Sequence, residues 1–236
     1  MDIRGERECQ SCGARWSYYD TTEITCPECG SIRSVGVDER KRHTAGKATL
    51  DLESIKADID DEPISDLADR ASEAAQSYIK PVGFIHAGEL QPLSDQYLAA
   101  CELRRVGATL GRVMQVEEDE QLYFLQLLRD ADSGNRPGPE AVPESLHPQR
   151  GLAIAAATDA YLTDIRQSLD DREGGVDSVL SAITTQRKRI EALDGAVEPT
   201  DAERLVRTLR DLGEYLREGD ETALARALDR AATEQL

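Results

Sequence analysis

Apolar residues return every three to four positions through most of the chain beyond residue 63, the period of an amphipathic helix. In "ISDLADRASEAAQSYIK", Leu67, Ala71, Ala74, Ala75 and Tyr78 fall on one side, and Pro81 stops the run. After the loop "PVGFIHAGELQP" a long helical stretch covers 93–131, breaking near Gly111 or at Glu117–Glu120. Its buried side carries Leu93, Tyr97, Cys101, Leu122, Leu125 and Leu128. A Gly/Pro-rich segment, 132–146, then divides the helical part.

Four more helices follow at 147–172, 176–193, 201–217 and 221–235. Val176, Val179, Leu180, Ile183 and Ile190 keep register in the second of these. Thr200 and Glu203 have the spacing of a capping box for the third, and the last begins after Asp220. No internal repeat is evident, so 63–236 reads as an all-α bundle of six or seven helices.

The first 43 residues are patterned differently. "ARWSYYDTTEIT" alternates with period two and predicts two short strands around a turn at Asp20–Thr22. Trp16 and Tyr18 then face one way, Ser17 and Tyr19 the other, and "SIRSVGV" forms a third strand. Between this β unit, 1–43, and the bundle, residues 44–62 are polar and acidic and read as a linker with at most a short helix.

The β unit contains four of the five cysteines, in a Cys-x2-Cys-x13-Cys-x2-Cys array of Cys9, Cys12, Cys26 and Cys29. Two intervening residues let one tight turn aim both sulfurs at a point, and Gly13 and Gly30 supply the positive φ that lets the chain leave it. Two such knuckles make a tetrahedral four-sulfur site, the closed geometry of structural Zn²⁺. Arg15, Arg33 and backbone N–H groups are the nearby donors available to offset its negative charge. A unit this small cannot fold on its apolar core alone, so the metal supplies folding energy.

Charge changes the picture for the rest. The chain has 46 Asp+Glu against 28 Lys+Arg, a net of -18. The first fifty residues are balanced, so the excess lies wholly downstream of the cysteines. Few lysines, many small residues and an acidic surface suit concentrated salt, where the Debye length falls to about 3 Å at 1 M. The start, "MDIRGERECQ", lacks the apolar run of a secretory signal and no stretch is long enough to span a membrane, so a cytoplasmic protein is expected. In a reducing compartment paired cysteines are metal ligands before they are disulfides.

"CQSCG" and "CPECGS" with a short hairpin between them resemble the zinc ribbons of transcription factor IIB type. The resemblance covers about the first 38 residues. It implies a structural Zn²⁺ and a module that docks on RNA polymerase, other protein machinery of transcription or translation, or nucleic acid. The helical part has the wrong charge for the basic, DNA-facing repeats of that factor, so promoter binding is not implied. The whole chain also resembles a zinc-ribbon family of halophilic archaea, which implies no activity. "CPECG" is similar as well to the second knuckle of rubredoxin-like domains, which would hold iron and carry electrons. A di-iron bundle is excluded, since it needs two Glu-x-x-His motifs and the one such string, Glu144–His147, sits in a proline-rich loop.

Trp16, Tyr18 and Tyr19 with Arg40 and Arg42 of "ERKRH" are candidate partner contacts: rings for bases, cations for phosphate. Three phosphate contacts alone would lose about 500-fold in affinity over a tenfold rise to molar salt. Trp16 packing the ribbon, with the basic run solvated, is the simpler reading. Cys101 reads as a small buried hydrophobe, His86 as a loop residue, and Gly107-x-x-x-Gly111 as close packing or a kink. No Walker, His-Glu-x-x-His, Gly-x-Ser-x-Gly or Gly-x-Gly-x-x-Gly string is present, so the chain reads as a non-enzymatic interaction protein.

Overall fold

The computed structural model describes residues 1–168 and 174–233. In chain order the elements are β1 Asp2–Ile3, β2 Glu6–Cys9, β3 Arg15–Ser17, α1 Tyr18–Thr21, β4 Ser34–Gly36, β5 Lys41–Arg42, α2 Glu53–Ala57 and α3 Ile64–Ile79. Then come β6 Ile85–His86, β7 Glu89–Leu90, α4 Asp95–Leu110, α5 Glu118–Asp130, α6 His147–Ser168, α7 Gly174–Ala192, α8 Pro199–Glu218 and α9 Glu221–Thr233. The protein is thus a small N-terminal β ribbon followed by a larger helical bundle. Residues 169–172 and 234–235, read from the sequence as helix ends, lie outside the described residues.

The ribbon is a three-stranded antiparallel sheet in the order β3-β2-β4. Its central strand precedes the first knuckle: Arg7 of β2 pairs with Trp16 of β3 and with Gly36 of β4. The expected strand after Asp20–Thr22 is absent. The chain turns into α1 at Tyr18, Thr22 just after its end takes a φ of 60°, and the chain runs without strand pairing to Cys26. The third strand forms as expected.

In the bundle, α3 and α4 pack as an antiparallel pair, α6 packs on α4, and α8 packs on α6. Gly107 makes the first crossing possible: a Cβ there would lie 2.5 Å from the Ala68 carbonyl oxygen. The predicted 93–131 helix breaks where Gly111 and Glu117–Glu120 stand. Ser94 caps α4 by accepting from Tyr97 N at 3.1 Å, and Glu120 Oε2 accepts from Glu117 N at 3.1 Å at the start of α5. Leu122 is 63% exposed; Tyr123, Phe124, Leu127 and Leu128 make the buried side of α5 instead. The Thr200–Glu203 box does not form. The helix starts two residues earlier, at Pro199, and Glu203 turns to two arginines (below).

Residues 44–62, read as a linker, carry Leu50, Leu52 and Ile55 into the main hydrophobic core. Their acidic neighbours stay at the surface, which is why the composition alone suggested a solvated segment. The same segment ties ribbon to bundle. Thr44 N donates to Ile85 O at 2.8 Å, and the buried Asp164 of α6 accepts from both Thr44 Oγ1 and Phe84 N at 2.6 Å. No helix among the described residues is long and apolar enough to cross a membrane.

Candidate metal centre

The two knuckles are built alike. In the first, Cys9 N donates to Ala14 O at 2.8 Å and Gly13 N to Cys9 O at 3.0 Å; in the second, Cys26 N donates to Ser31 O at 2.9 Å and Gly30 N to Cys26 O at 3.0 Å. Gly13 and Gly30 sit at φ 77° and 69°, left-handed turns that cost other residues strain. Ser11 Oγ and Ser31 Oγ, 3.0 Å apart, bridge the knuckles, as does Gln10 N to Arg33 O at 2.9 Å.

This construction brings the sulfurs of Cys9, Cys12, Cys26 and Cys29 within 4.8 Å of one another. Cys9 Sγ lies 3.7 Å from Cys29 Sγ, and Cys12 Sγ lies 3.6 Å from Cys26 Sγ. Those separations are far too long for disulfides. They match the edge of a sulfur tetrahedron, about 3.8 Å for metal–sulfur bonds near 2.3 Å. The donor set therefore fits one tetrahedral metal ion. Cys9 and Cys26 are buried, while Cys12 and Cys29 face outward.

The thiols are poised unequally. Backbone N–H groups of Cys12 and Ser11 lower Cys9 to about 6; Ser11 N points at Cys9 Sγ from 3.4 Å. Cys12 is pulled down by the Ala14 N–H, but the Cys29 and Cys26 sulfurs outweigh this and raise it to about 12. Four sulfurs so close cannot all ionise without a cation among them. Arg15, expected to help balance the site, pairs with Glu8 at 2.6 Å. Arg33 is exposed, and its backbone carbonyl serves the knuckle contact.

Of the candidate contact residues, Trp16 is 8% exposed and packs with Cys9, Cys26 and Ala14 as the wall behind the sulfurs. Its Nε1 donates to Glu23 O at 2.9 Å. Tyr19 is 6% exposed and faces the bundle: its ring lies 5.1 Å from His43 and 6.1 Å from His86, and its hydroxyl donates to Ile3 O at 3.1 Å. Burial and the nearby His86 hold His43 below its ordinary pKa. Arg42 bonds to Asp2 and to Gln167 at 2.6 Å each. Tyr18 is half-buried and Arg40 exposed. The five do not form one surface; three of them build the ribbon or its seam.

The sequence reading missed a buried ion network in the bundle. Glu102 and Arg150 are 0% and 2% exposed and joined at 3.2 Å; Arg150 also meets Glu203 at 2.7 Å, and Arg136 meets Glu102 and Glu203 at 3.1 and 3.0 Å. Tyr123 donates to Glu102, and Arg150 donates to Pro137 O at 2.9 Å. Burial would raise the Glu203 carboxyl, but Arg136 and Arg150 together lower it. Two cations and two anions cancel, so this is a clamp joining α4, α5, α6, α8 and the 132–146 loop. A glutamate inside the apolar run Cys101–Leu103 was its one sequence signal. Cys101 is buried and pushed up to about 12 by desolvation, as suits an inert core thiol.

Residues 1–231 match a family described as a family of unknown function (DUF7117). No curated protein and no solved structure matches the chain.

Proposed function

We propose, for a chain that belongs to the DUF7117 family of unknown function, that it is a non-enzymatic interaction protein whose ribbon holds one structural Zn²⁺ and docks on a protein partner. The machinery of transcription or translation is the class that the ribbon's resemblance suggests. Four thiolates fill the coordination shell of zinc and leave no open position for a substrate, so the ion acts by folding the ribbon. The ribbon's own buried cluster is Cys9, Trp16 and Cys26 with Ala14 beside them, too little to fold unaided.

The observation that carries the docking reading is where apolar surface remains. Ile24, Ile32, Val35 and Val37 of the ribbon are 54%, 76%, 41% and 45% exposed. Val35 lies on β4 and Val37 just past its end. Ser34 Oγ donates to Ile24 O at 2.8 Å, which holds the Ile24 segment to the same edge strand. Exposed apolar side chains with polar neighbours on a module of this kind are what a docking surface requires. Trp16 and Tyr19, the best base-stacking rings, are buried, which weighs against direct nucleic-acid binding.

The test is affinity purification of the tagged chain from its native cell and native salt. The intact protein should bring down a defined partner. Both Cys9→Ser/Cys12→Ser and Ile32→Asp/Val35→Asp should lose it, the second with its metal retained. A chain that purifies alone, or an Ile32→Asp/Val35→Asp variant that keeps the partner, overturns docking through this surface. A red, iron-containing protein would instead make it a rubredoxin-like electron carrier.

A further inference from the structure

Many arginines of this acidic protein pair with acids: Arg70, Arg136, Arg150, Arg187, Arg210 and Arg226 each hold a carboxylate within 3.2 Å. Three that do not are gathered around one groove. Arg104 and Arg105 of α4, with Arg112 just beyond its end, line a groove of about 700 Å³ between α3, α4 and α6. Arg104 bonds to the Gln76 side chain at 3.1 Å and to no carboxylate. Arg105 is half-buried and has no side-chain hydrogen bond or ion pair among the described residues.

The Nε atoms of both Arg104 and Arg105, and Oε1 of Gln149 opposite, are buried without a partner. Glu73 is the groove's one acidic lining residue, and it pairs with none of the three arginines. Burial and the adjacent Arg104 both lower the Arg105 pKa, the mark of crowded positive charge.

With 46 carboxylates available to the chain, leaving two neighbouring guanidinium groups half-buried, with no carboxylate partner among the described residues and both Nε atoms unsatisfied, is a cost that folding does not recover. An anionic ligand recovers it. We propose that this groove binds a phosphate-bearing small molecule, gripped by Arg104, Arg105 and Arg112. Guanidinium forks match phosphate oxygens two at a time. The Thr109 hydroxyl accepts from Gln149 Nε2 at 3.3 Å, which leaves its proton to donate into the groove. The volume falls within the range of small-molecule sites, about 300–1,000 Å³, and the hydroxyl, amide and guanidinium lining suits a polar anion better than an apolar ligand.

The site lies in the helical bundle and does not depend on the ribbon's role. Calorimetric titration of the full metal-loaded chain, at one fixed KCl concentration, tests it with inorganic pyrophosphate, ADP and citrate. Pyrophosphate or ADP should bind and citrate should not; tighter ADP binding assigns an organic phosphate, equal binding the phosphate alone. Arg105→Gln should weaken binding about tenfold or more while leaving the melting temperature without ligand unchanged or higher. If Arg105→Gln does not fold, Arg112→Gln, exposed and past the helix end, takes its place with the same expected loss. No binding of any phosphate, citrate binding as tightly, or phosphate binding unchanged in the variant would overturn the proposal.

Discussion

The residues that most determine this structure are charged or sulfur-bearing groups whose partners lie far away in sequence. Arg150 is the clearest. It enters the core only because Glu102, Glu203, Tyr123 and Pro137 O surround it. Replacing one member of a buried pair leaves the other uncompensated, a loss of about 3–5 kcal/mol. Arg150→Met should therefore lower the denaturation midpoint sharply in urea or guanidinium unfolding, while a double change of Arg150→Met with Glu102→Gln should recover part of the loss. Additive effects of the two changes would mean that the network does not act as a unit. The local sequence announces such a network only through the glutamate inside the apolar run Cys101–Leu103. By contrast the four metal cysteines were legible at once, because each knuckle is local: two residues between sulfurs and a glycine after, repeated at Cys9–Gly13 and Cys26–Gly30.

At the scale of elements, legibility followed the same division. The long helices α3, α4, α6, α7 and α8 appear where periodicity places them. Their ends were harder to read, as with the unused Thr200–Glu203 box, since capping competes with whatever tertiary partner a glutamate finds. Strand β2 was not foreseen because it carries charged residues, Glu6, Arg7 and Glu8, on a strand of four. Its pairing is imposed by the knuckles on either side, not by β propensity. Residues 44–62 looked solvated for the reason that their few leucines and isoleucines are outnumbered by acids. Close packing or a kink was expected at Gly107-x-x-x-Gly111, and the structure makes it close packing, with α3 as the partner. Gly107→Val should separate these helices or strain them, costing about 1–3 kcal/mol. The check is a thermal melt followed by helical ellipticity, and an unchanged melting temperature would show that the crossing yields without penalty.

For the whole molecule, the division of labour is between a ribbon that cannot fold by burial and a bundle that can. The two meet through Thr44, Asp164 and the Tyr19–His43–His86 ring cluster. Acidic excess belongs to the bundle, which also exposes Val113, Met114, Leu122 and Leu193, while the charge-balanced ribbon exposes Ile24, Ile32, Val35 and Val37. All of this rests on the sulfur tetrahedron. The direct measurement is elemental analysis of the native chain together with X-ray absorption at the metal edge. The account predicts one zinc per chain with four sulfurs at about 2.3 Å. Iron in its place, fewer than four sulfur ligands, or a folded ribbon with no metal would contradict it.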